Sequence, residues 1–113
     1  MQSTTIAESI PALEEFVNYL DKAYWEANKM DVKDSIYDCI SAVMKELSEL
    51  GKLSIQDHDL DYEPISTEFI LAIRRLAEFR KFLDGNIVRA ATVSKLDASI
   101  SSIIALVTPR KED

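Results

Sequence analysis

Cysteine is almost missing from this chain. Cys39 stands alone among 113 residues, so no internal disulfide can form. Its helical spacing with Ile36, Ile40 and Val43 predicts a small core residue rather than a nucleophile, and a lone thiol suits a reducing cytoplasm. Histidine is equally scarce: His58 is the only one, with no second histidine or adjacent cysteine to complete a zinc set. Two glycines and three prolines exclude a loop-rich or collagen-like chain. The glycine patterns of phosphate loops and dinucleotide sites are missing, as is a serine nucleophile elbow. The late apolar run IIALV is too short to span a bilayer. The opening MQSTTIAESI has no basic stretch followed by an apolar one, so a secretory signal is not expected.

Apolar periodicity of three and four residues is what the chain does have, and it predicts an all-α fold in one domain over residues 1–113. Thr5 and Glu8 can form a capping box, with Ser9 before Pro11 as a second possible start. Leu13, Phe16, Val17, Leu20, Tyr24 and Ala27 then make one stripe. Asp31 is expected to cap a second helix whose inward face is Val32, Ile36, Cys39, Ile40, Val43, Leu47 and Leu50. Tyr37 and Met44 widen that face, and Gly51 is its expected left-handed stop. A third helix opens at Ser66 or Thr67, carries Phe69, Ile73, Leu76, Phe79 and Leu83, and stops at Gly85. A fourth begins between Ile87 and Val93 and ends before Pro109, leaving residues 108–113 as a flexible tail. Its Ile and Val content suits a strand as well, but strict alternation is absent. These elements predict a compact antiparallel four-helix bundle with one longer acidic connection.

That connection contains DHDLDYEPISTE, residues 57 to 68. Asp57, Asp59, Asp61, Glu63 and Glu68 fall at positions where a calcium-binding EF-hand loop carries oxygen ligands. Three features oppose the match: Tyr62 replaces the obligatory glycine, Pro64 extends the backbone at Glu63, and Gly51 ends the incoming helix early. The stretch reads as an acidic surface, and no metal or other cofactor is expected. A second acidic grouping, Glu46 and Glu49 with Glu14 and Glu15, falls short of the fuller pattern of magnesium-dependent nucleotide hydrolases.

Charge is divided unevenly along the chain. Residues 1 to 68 hold 15 acids and 5 bases, whereas residues 69 to 113 hold 5 acids and 8 bases; the net is −7. Such a balance opposes nucleic acid and acidic membranes and favours a basic protein partner. The expected function is a noncatalytic, cytoplasmic interaction or regulatory module whose acidic surface recognises that partner. The candidate contact residues are Asp57, Asp59, Asp61, Tyr62, Glu63 and Trp25, with the two aromatics as anchors. Both aromatics have an alternative role packed against their own chain. Arg80, beside the apolar stripe of the third helix, is the candidate ion-pair residue, within the chain or across a homodimer. Homo-oligomerisation and a divalent-metal nucleotide hydrolase are the alternative functions.

Overall fold

In the computed structural model, residues 4–83, 85–87 and 89–107 are described. The expected flexible tail, residues 108–113, lies outside them. Five α-helices and one 3-10 turn make up the described chain: α1 (Ile6–Glu26), α2 (Met30–Gly51), the turn at Ile55–Asp59, α3 (Thr67–Arg74), α4 (Leu76–Leu83) and α5 (Ala90–Val107). The fold is all-α, and the ambiguous last segment is a helix.

α1 starts where the capping box places it. The Thr5 hydroxyl accepts from Glu8 N–H at 3.2 Å, and the Glu8 carboxylate accepts from Thr5 N–H at 2.9 Å. Pro11 therefore falls inside the helix, and the Ser9 hydroxyl turns inward to the Ile6 carbonyl. α2 begins two residues earlier than Asp31 suggests. Lys29 is the capping residue and offers no side-chain bond, while Asp31, already helical, accepts from Val32 N–H. Gly51 is the last helical residue rather than a left-handed stop, because Lys52 N–H closes the end onto Glu49 and Leu50. Gly85 does have the left-handed backbone, with φ of 78°, beyond the end of α4.

The expected third helix is broken. Arg75, at φ −106° and ψ 2°, directs its N–H to Ala72 and Ile73 and separates α3 from α4. Ser66 caps α3 by accepting from Phe69 N–H.

α1 packs against both α2 and α5, and α2 also packs against α3. The core joins Leu13, Phe16 and Leu20 of α1 to Val32, Ile36 and Val43 of α2 and Leu96, Ile100 and Ile103 of α5, with Phe69, Leu76 and Leu83 closing one side. Tyr37 and Met44 correct the expected inward face of α2. Both are exposed, because helical phase sets them more than about 100° from the Val32–Cys39–Val43 centre. Two short backbone bridges tie the ends of the molecule. Thr5 pairs with Asp61 at one end of α1, and Ala27 pairs with Ile87 at the other. At the second end Glu26 accepts from Arg89 N–H and the Thr92 hydroxyl, so a carboxylate of α1 holds the start of α5. None of the helices among the described residues is long and apolar enough to cross a membrane.

Candidate functional site

The acidic connection is anchored from beneath by one member of the second acidic grouping. Glu46 is completely buried. Its carboxylate accepts from the Tyr62 hydroxyl at 2.6 Å, from Ser66 N–H at 2.7 Å and from Ile65 N–H at 3.0 Å. Helical phase could have revealed it, since Glu46 lies three residues after Val43 and four before Leu50, both fully buried. A buried carboxylate demands such donors, and this one draws them from the connection and from the capping residue of α3. Of the two roles open to Tyr62, the structure shows the internal one: the ring joins the core and the hydroxyl donates to Glu46. Burial first, then the Glu46 hydrogen bond and charge, push the Tyr62 phenol well above its ordinary pKa, so it remains a donor.

This clamp fixes what faces outward. Residues 55–59 form the 3-10 turn, steadied by Ser54 donating to Asp57. The backbone then runs extended, with Ile6 N–H donating to Leu60 and Tyr62 N–H donating to Thr4. Asp57, Asp59, Asp61 and Glu63 are all exposed. The ion pairs among the described residues are Lys45–Glu49, Lys52–Glu49 and Arg80–Asp97, so none of these four acids is paired with a cation. Three apolar side chains stand out among the acids: Ile55, 86% exposed, Leu60, 58% exposed, and Ile65, 44% exposed. Sequence reasoning missed them as anchors. Their signal is an apolar residue every five positions, a spacing that fits no helical stripe across a turn.

Trp25 is exposed too, but it is not part of this patch. It lies 19 residues along α1 from Ile6, about 28 Å away. There it meets Tyr24 edge-on at 5.1 Å, with the Lys33 ammonium over both rings. Arg80 forms its ion pair within the chain. Its Nε lies 2.7 Å from Asp97 of α5, and its guanidinium also donates to the Ser101 hydroxyl.

The remaining acids are dispersed. Glu49 faces Lys45 and Lys52, Glu14 and Glu15 are exposed on α1, and Glu68 accepts from the Ser66 hydroxyl. Among the described residues, no three histidine, cysteine or acidic side chains gather where they could hold a metal ion. His58 is half-buried in the 3-10 turn, its Nε2 shielded from solvent. Cys39 is in the core, where burial and then the Asp38 charge push its thiol up to about 12.

Compared with protein-family models, curated proteins and solved structures, the chain has no match.

Proposed function

We propose that the protein is a noncatalytic interaction module of the cytoplasm whose acidic connection recognises a basic surface on a partner protein. The observation that carries this reading is the exposure of Asp57, Asp59, Asp61 and Glu63, unpaired with any cation among the described residues, around exposed Ile55, Leu60 and Ile65. Unpaired acids concentrate a negative potential that accelerates encounter with a basic target. Apolar side chains among them give the contact something to bury, which charge alone does not. The scaffold we infer is an antiparallel four-helix arrangement in which α3 and α4 act as one bent member. Capture from native lysate at low and high salt tests the reading. A basic partner should be retained by the wild-type chain and lost from a chain carrying Asp57→Asn, Asp59→Asn, Asp61→Asn and Glu63→Gln. Equal retention by both chains would refute it.

Self-association is the second reading, supported by a row of exposed apolar residues at seven-residue spacing on α2: Met30, Tyr37 and Met44. Arg80 lends it no support, since its ion pair with Asp97 lies within the chain. Sedimentation over a concentration series checks it: Tyr37→Glu should shift any dimer toward monomer, and a monomer at every concentration would dismiss it.

A further inference from the structure

A groove of about 960 Å³ runs between α2 on one side and α3 and α4 on the other. It extends from Lys45 and Glu68 at one end to Ser35 and Phe82 at the other. The ten-residue span of α2 along it corresponds to about 15 Å, or three helical turns. Its floor is apolar, made by Cys39, Ala42, Leu76 and Phe79. The groove therefore matches one side of a three-turn helix in length.

The walls are charged selectively. At the Lys45 end the charges are already answered, since Lys45 meets Glu49 and lies near Glu68. Asp38 on α2 and Glu78 on α4 line the opposite walls, both exposed and neither in an ion pair among the described residues. Arg75, also exposed and in no ion pair among the described residues, lines the groove between them and the Lys45 end. An apolar trough with unanswered acids on opposite walls complements a helix whose apolar stripe is flanked by lysine or arginine on both sides.

We propose that this groove binds a three-turn amphipathic helix of a basic partner protein, its apolar stripe on Cys39, Ala42, Leu76 and Phe79 and its flanking cations on Asp38 and Glu78. The groove adds to the reading of the acidic connection a second contact of defined shape, and rests on that reading only for the partner being basic.

The test uses the full chain and synthetic helical peptides sharing one leucine stripe, flanked by lysine in one and by glutamate in the other. The lysine-flanked peptide should bind about tenfold or more tightly than its counterpart, with amide shifts centred on Ala42, Leu76 and Phe79. Asp38→Lys with Glu78→Lys, both at exposed positions, should reverse that preference while leaving the helical spectrum unchanged. Neutralising Asp57, Asp59, Asp61 and Glu63 should slow association and leave the amide shifts in place. Absence of binding, equal affinity for the two peptides, or shifts confined to residues 55–65 would each overturn the groove proposal. Failure of the connection alone would appear instead as an unchanged association rate in the neutralised chain.

Discussion

Glu46 carries more of the structure than any other single polar residue described. Its carboxylate holds the Tyr62 hydroxyl and two backbone N–H groups, and charge-assisted bonds in a buried site are among the strongest a protein makes. Glu46→Gln presents an amide where only acceptors fit, and should cost about 2–4 kcal/mol in urea unfolding. Tyr62→Phe removes one donor and should cost about 1–2 kcal/mol. A double-mutant cycle should show the two changes strongly coupled; simple additivity would mean that the pair is not a unit. The raised Tyr62 pKa sets a pH dependence as well. Because the folded value lies above the ordinary 10.0, the pair's contribution is full below that pH and declines as pH rises beyond it. Cys39, protonated on the floor of the groove, should react with a thiol reagent at pH 8 far more slowly than an unfolded chain; equal rates for the native and unfolded chains would contradict its raised pKa. The core position of Cys39 was legible from its neighbours' spacing. That of Glu46 was equally legible by phase, but its charge argued for the surface, and only the donors brought by a distant segment reverse that argument.

At the scale of elements, capping chemistry translated most directly from sequence to structure. Thr5 with Glu8 and Ser66 with its following turn begin helices as their side chains dictate. Ser66→Ala should cost about 1 kcal/mol and loosen α3, as read by hydrogen exchange in residues 67–70. The carboxyls of Glu8 and Glu68 are held below the ordinary 4.5, Glu8 first by the Thr5 backbone N–H and Glu68 first by the Ser66 hydroxyl. A depressed folded pKa stabilises above the ordinary value, and that stabilisation is lost as pH falls through the folded one. Stability should therefore decline below pH 4.5, and less steeply in Glu8→Gln and Glu68→Gln; identical slopes would exclude these caps as the source. The break at Arg75 was not legible, since Arg74, Arg75 and Leu76 contain no glycine or proline to mark it. The start of α2 differs for a similar reason: Asp31 suits the position before a helix and its first turn about equally.

For the whole molecule, the uneven charge along the chain proved easier to read than the position of the anchors. Asp61 and Glu63 are exposed because they flank Tyr62, which the clamp turns inward on extended backbone, whereas Asp57 and Asp59 are exposed on the 3-10 turn. Sequence spacing indicated the acids, but it could not join them to Leu60 and Ile55 or separate them from Trp25, which depends on the course of α1. In the function proposed above, this surface attracts a basic partner by its field and holds it by its apolar tips. Leu60→Ser should accordingly speed dissociation with little effect on association, because short-range packing acts after encounter. The most direct measurement is the association rate with the captured partner across a range of ionic strength, for the wild-type chain and for the chain neutralised at Asp57, Asp59, Asp61 and Glu63. Field-steered encounter should give a wild-type rate that falls steeply with salt and a neutralised rate that is at least about tenfold lower at low salt and nearly flat. Superimposable rates and salt slopes for the two chains would contradict it.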